Sequence, residues 1–248
     1  MQKNLKNSIS QILVDLDSLS PFSLQESWDN SGLILGSKEG SFKQIYVALE
    51  VTQDLLEQME ADSVLITHHP LIFSPLKQII SEYYPSSLLH LAIQKNIQLI
   101  AMHTNFDKTH FGKYVTKEIL GIKNFSQEEF LVQFQWDNDF HSLCTLIKEK
   151  FKLQTLKITQ TTNPQCKNIG LITGSGGSFI GKLSHIDCFI TGDIKYHDAM
   201  EGMQKNIHLI DCGHYELERY FGEILLPLLT NLGYKAIILD SKNPFSYI

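Results

Sequence analysis

Arginine is almost missing from this chain: Arg219 stands alone beside twenty lysines. Net charge is −6 at pH 7, and no basic stripe runs along the sequence, so nucleic acid is not an expected partner. Long apolar runs are lacking too. No stretch approaches the ~18–20 residues that cross a bilayer, so no membrane partner is expected. The first nineteen residues read as an amphipathic helix with Ile9, Leu13, Leu16 and Leu19 on one stripe, without the apolar core and cleavage site of a signal peptide. A cytoplasmic location is the expectation. Cysteine is sparse and scattered: Cys144, Cys166, Cys188 and Cys212 form no C-x-x-C pair, which argues against a disulfide framework or a zinc finger.

What the 248 residues do contain is an ordinary globular composition, 43% hydrophobic and 19% charged. Short apolar runs alternate with amphipathic segments, the pattern of an α/β fold. Strands are predicted over 43–51, 63–67, 97–102, 168–173, 187–191, 207–211 and 234–239. Helices are predicted over 52–61, 86–96, 113–121, 138–151, 197–206 and 214–233. The runs are continuously apolar, which implies burial on both faces. The stretch 122–138 breaks the rhythm, so the division expected is one lobe over 1–124 and a second over 125–248. WDNSGLILG at 28–36 reads as a structured loop before a strand.

Ligands of open α/β sheets bind beyond the carboxyl ends of strands, and four predicted strands end in metal-capable residues. VLIT leads into His68-His69, QLIAM into His103-Thr104-Asn105-Phe106-Asp107, CFIT into Gly192-Asp193 with His197 beyond, and IHLI into Asp211-Cys212-Gly213-His214 and Glu218. On a strand the two adjacent histidines would point apart. Pro70 biases His69 away from the α region, so a turn is expected there and both rings can face one cavity, each toward a different ion. An exposed turn is the plain alternative. Asp107 lies in a Thr/Asn-rich turn, where capping the next helix would explain it equally well. His103 reads as a support for a ligand. His214 and Glu218 are four apart and share a helix face, whereas Glu216 should face solvent. Asp193 and His197 read as supporting or substrate-facing residues. GSGGS at 174–178 fits no phosphate-loop pattern and reads as a strand-to-helix turn, with an anion nest as the alternative.

Taken together, THHPLIF, HTN-x-D and GHY-x-x-E, with WDNSGLILG, LITGSGG and FITGDIKYHDA in the same order, resemble the NIF-three-like family, whose bacterial members are also labelled type 2 GTP cyclohydrolase I homologues. The resemblance runs from residue 28 to 221 and is to the compact members without an inserted middle domain. It implies two similar three-layer α/β lobes with mixed, mostly parallel sheets and a dinuclear metal site in the cleft between them. The last helix and strand would pack back on the first lobe. The implied ligands are His68, His69, Asp107, His214 and Glu218, with Glu218 bridging. Ring-shaped homohexamers are implied as well.

A mixed nitrogen/oxygen set suits two divalent ions among Zn, Mn, Fe and Ni, zinc first among them. The implied reaction is hydrolytic opening of the imidazole ring of GTP, giving formate and 7,8-dihydroneopterin triphosphate. His103 or His197 would move protons, and Lys108, Lys195 or Arg219 would contact phosphates. A dinuclear phosphoesterase needs much the same ligands. A non-catalytic metal carrier or insertase and a regulatory adaptor are the rivals outside enzymology.

Overall fold

The computed structural model describes residues 7–246. Residues 1–6 of the predicted N-terminal helix, and residues 247–248, lie outside them. The chain is a mixed α/β protein with two mixed sheets, and it divides into two compact units, 1–106 with 220–248 and 107–219.

In the first unit α1 (Ile9–Leu19) buries Ile9, Ile12 and Leu16. Its sheet runs β1-β4-β3-β2-β11, with β1 Gly32–Leu35, β2 Ile45–Ala48, β3 Val64–Thr67, β4 Gln98–Ala101 and β11 Ala236–Ile238. The three central strands, IYVA, VLIT and QLIA, are buried at every position, as their continuous apolar character predicts. They run parallel, with β11 parallel to β2 at one edge and β1 antiparallel to β4 at the other. Helices α2 (Gln53–Gln58) and α3 (Ser86–Gln94) pack on the sheet, where Leu55, Leu56, Leu88 and Leu89 join Leu65 and Leu99 in one apolar cluster. The short turn α4 (Thr104–Phe106) closes this part of the chain.

The second unit opens with helical turns over 107–119: π-helical at Asp107–Phe111, α-helical at α5 (Gly112–Tyr114), then π-helical again at Val115–Ile119. Its sheet runs β5-β6-β8-β9-β10-β7, with β5 Phe125–Glu128, β6 Leu131–Gln135, β7 Lys157–Thr159, β8 Asn168–Leu171, β9 Cys188–Thr191 and β10 His208–Asp211. Only β8, β9 and β10 are mutually parallel; β5, β6 and β7 pair antiparallel, so this sheet is not mostly parallel. Helices α6 (Phe140–Phe151) and α7 (Tyr196–Gln204) complete it. The Asp139 carboxylate caps α6 by accepting from the Ser142 amide at 2.7 Å. All four cysteines are free and buried.

The sequence rhythm puts the division at 124/125, whereas the contacts put it at 106/107 and 219/220. Residues 107–119 stay with the second unit because Gln127 on β5 donates to the Lys108 carbonyl at 2.9 Å and Gly112 lies against Val132 of β6. The last segment returns to the first unit because β11 finds its ladder partner in β2. The predicted helix over 214–233 is two helices, α8 (His214–Glu218) and α9 (Phe221–Asn231), broken at Arg219–Tyr220.

Burial, with Lys113 adding repulsion, pushes the His110 imidazole down from 6.5 to about 4. In the unfolded chain the same ring takes up its proton below about 6.5. Between those values the unfolded state binds the extra proton, so stability falls as pH drops from about 6.5 to about 4. His110→Gln is expected to flatten that part of the stability profile, read as a smaller shift in the urea midpoint between pH 6.5 and 4 than the wild type shows.

Candidate metal centre

Strand β3 ends at Thr67, so strand alternation does not govern the two histidines that follow. The turn is clasped: the Thr67 hydroxyl donates to the His69 carbonyl at 2.8 Å, and the His69 amide donates to the Leu49 carbonyl at 3.2 Å. Both rings therefore come to one side, 4.7 Å apart between centroids. His103 leaves the neighbouring β4 and stands 5.1 Å from His68 and 5.3 Å from His69. One ring nitrogen from each of the three lies within 4.8 Å of the others, so this trio can hold a metal ion.

Each ring is tethered from behind. His68 Nδ1 donates to the Met102 carbonyl at 2.8 Å, His69 Nδ1 to Glu50 Oε1 at 2.6 Å and His103 Nδ1 to Asp29 Oδ1 at 2.7 Å. A carbonyl or carboxylate only accepts, so Nδ1 must carry the proton and Nε2 the lone pair of the neutral ring. That is how metal-binding histidines are oriented. The Asp29 side chain is fully covered. Burial works to raise its carboxyl, but hydrogen bonds and charge from His103, with bonds from Thr104 and Asn30, hold it well below the usual carboxylate range.

In the second unit the ends of β8, β9 and β10 carry the remaining candidates. Asp211 sits at the junction, its Oδ2 accepting from the Ile194 amide at 2.9 Å and from Lys157 Nζ at 2.6 Å, its Oδ1 from the Gly213 amide at 3.1 Å. The loops that carry Asp193 and His214 are thereby locked together. Asp193 adopts a left-handed backbone (φ 54°), and its carboxylate accepts from His214 Nδ1 at 2.7 Å. An aspartate tolerates that conformation better than most residues, yet it is uncommon enough to mark a site. His214 Nε2 lies 2.9 Å from Glu218 Oε2, one turn along α8. With Nδ1 carrying the proton, Nε2 presents a lone pair to a carboxylate oxygen, and a cation held by both would satisfy both acceptors.

Gly174 supplies the floor of this pair. It has φ +65°, and a Cβ there would overlap the Glu218 carboxylate and approach His214 Nε2. GSGGS is thus a strand-to-helix turn whose first glycine makes room for donor atoms. Asp107 lies in the same unit, with Thr173 Oγ1 3.5 Å from its Oδ1. The donors present, imidazole and carboxylate around a glycine-shaped space, fit a divalent cation.

Several expectations need correction or relocation. Glu216 is buried, because at the third position of α8 it folds back over Gly213, where a Cβ would overlap its carboxylate. His197 is exposed on α7 with its ring edge on Tyr196, and it joins none of the metal-capable groups among the described residues. Lys195 is exposed at the start of α7. The Lys108 ammonium is taken up by Glu129 at 2.8 Å and by the Phe130 ring. Arg219 is half-buried at the end of α8. Sequence reasoning overlooked Asp29 and Glu50. Glu50 follows β2 as His69 follows β3, a fifth polar strand exit, and Asp29 sits in the WDNS loop, whose role composition could not disclose.

Fold and donors together define a mixed α/β protein with histidine-rich, metal-capable strand ends. The chain belongs to the Duf34/NIF3 (NGG1p interacting factor 3) family, whose profile it matches over residues 7–244. Over 239 residues it is 44% identical to the Campylobacter jejuni protein named GTP cyclohydrolase 1 type 2 homolog, covering 96% of this chain and 99% of that one. Over 241 residues it is 40% identical to the Helicobacter pylori protein named GTP cyclohydrolase 1 type 2, covering 97% and 99%. The crystal structure of Staphylococcus aureus protein SA1388 is similar with a TM-score of 0.84 at 26% identity, over 97% of this chain and 99% of that one. A Bacillus cereus protein related to NIF3 shares the fold with a TM-score of 0.85 at 16% identity, over 99% and 100%.

Since Asp193 orients His214 from behind, Asp193→Ala is expected to weaken zinc binding about 10- to 100-fold. Titration against a chelator checks the affinity, and an unchanged circular dichroism spectrum confirms the fold.

Proposed function

We propose that the chain is a metal-dependent hydrolase of the GTP cyclohydrolase 1 type 2 kind, opening the imidazole ring of GTP with release of formate. His68, His69, Asp107, His214 and Glu218 would hold two divalent ions. Such ions supply Lewis acidity and lower the pKa of water at neutral pH. The names of the Campylobacter and Helicobacter relatives support the reaction class.

The observation that favours catalysis over carriage is the Asp29–His103 pair. A carrier needs donor atoms only. Here a buried carboxylate accepts from His103 Nδ1, so Nε2 can take a proton while Asp29 stabilises the cationic ring that results. His103 stands within 5.3 Å of His69, ring to ring, so the proton acceptor borders the ligand imidazoles. His68 and His69 would hold metal, and His103 would move the proton.

The test is metal content and turnover of one preparation. Reconstituted wild type should hold two ions per chain and release formate and 7,8-dihydroneopterin triphosphate from GTP. His103→Gln should keep both ions and lose about 10²- to 10⁴-fold in kcat, the usual worth of a positioned acid or base. Two ions bound without turnover of GTP would favour carriage, and loss of an ion in His103→Gln would move His103 into the ligand set.

A further inference from the structure

The WDNS loop holds Asp29 beneath His103, yet its tryptophan plays no part in that support. Trp28 is 56% exposed, and Phe73, beyond the THHP turn, is 52% exposed. The two rings meet at 5.8 Å between centroids. Each also stands nearly perpendicular to His103, Trp28 at 6.2 Å and 76°, Phe73 at 6.1 Å and 75°. Single exposed aromatics are commonplace. Two in mutual contact, both turned against one imidazole of a metal-capable trio, form a patterned surface.

The backbone holds that surface in place. Asn30 Nδ2 donates to the Ile72 carbonyl at 2.6 Å, tying the residue two beyond Trp28 to the residue just before Phe73. The Asn30 amide and the Ser31 hydroxyl donate to Asp29 at 2.7 and 3.1 Å, and Thr104 donates to the same carboxylate from its amide and its hydroxyl. Both aromatics are therefore preorganised, although neither fills the core. Water-exposed π-faces held at fixed positions are what flat heteroaromatic rings stack on.

We infer that Trp28 and Phe73 form a stacking ledge that places the purine base of the substrate beside His103. The choice of purine rests on the proposed GTP hydrolysis; the ledge itself rests on the ring geometry. Stacking recognises the base and is indifferent to sugar and phosphate. It brings the imidazole portion of the purine to the side of the unit where His103 can exchange a proton with it.

The experiment uses metal-stripped protein, so binding is read apart from turnover. In a Trp136→Phe background Trp28 is the single tryptophan of the chain. Guanosine and GTP are expected to quench its fluorescence saturably, while ribose 5-phosphate and tripolyphosphate leave it unchanged. Phe73→Ala should raise the guanosine Kd about 5- to 100-fold, the range for loss of one stacked base contact, and Phe73→Tyr should restore it. Equal response to tripolyphosphate, no quenching by guanosine, or emission that changes only with protein concentration would each overturn the ledge. The two readings fail separately. Guanosine quenching without formate release upholds the ledge and removes the hydrolase; formate release with an unchanged KM for GTP in Phe73→Ala removes the ledge alone.

Discussion

A neutral imidazole offers one donor and one acceptor, and the site depends on spending the donor in the right direction. At His68, His69, His103 and His214 the Nδ1 proton goes to a fixed oxygen: the Met102 carbonyl, Glu50, Asp29 and Asp193. Had His68, His69 or His214 chosen the other tautomer, the nitrogen turned away from its tether would carry a proton and could not bind a cation, and His103 Nε2 could not accept a proton. Everything behind the rings serves that choice. The oxygens sit at the ends of strands, or in loops tied to them, so the ring positions inherit the rigidity of the buried sheets.

The carboxylates impose a second condition. Glu218 is only 3% exposed, and a buried charge is costly unless another charge or hydrogen-bond donors meet it. A divalent cation shared with His214 Nε2, 2.9 Å away, would meet it, and Gly174 leaves the space that its oxygens occupy. Asp211 then fixes the two loops on either side through backbone amides, and the Lys157 ammonium balances its charge. A glycine, a left-handed aspartate and a structural aspartate thus share the work of presenting one histidine and one glutamate. The first unit solves the matching problem with the WDNS loop, where one covered carboxylate serves His103 and Thr104 together.

Much of this was legible before any coordinates. The continuous apolar runs IYVA, VLIT, QLIA, CFIT and HLID are parallel strands, because burial on both faces leaves no polar alternation to see. The polar residues after them are local in sequence, so His68, His69, His103, Asp107 and His214 could be singled out by position. Strand β1 lies inside the WDNSGLILG stretch that reads as a loop, and β5, β6 and β7 escaped notice because they are short, partly exposed and polar in places: FSQE, LVQFQ and KIT depend on ladder partners that lie elsewhere in the chain. The unit boundary escaped for the same reason, since only contacts with β5 and β6 assign residues 107–119.

The sequence by itself determined the fold class, the strand exits that carry donors and the i,i+4 relation of His214 to Glu218, all set by local periodicity and helix geometry. Tertiary structure decided which carboxylates stand behind the rings. Asp29 reaches His103 across 74 residues, Asp193 reaches His214 across 21, and Glu50 reaches His69 across 19. It also decided that Glu216 turns inward and that Trp28 meets Phe73. Such pairings join segments remote along the chain, and no local pattern encodes them; they arise only when packing of the sheet brings neighbouring strand ends together.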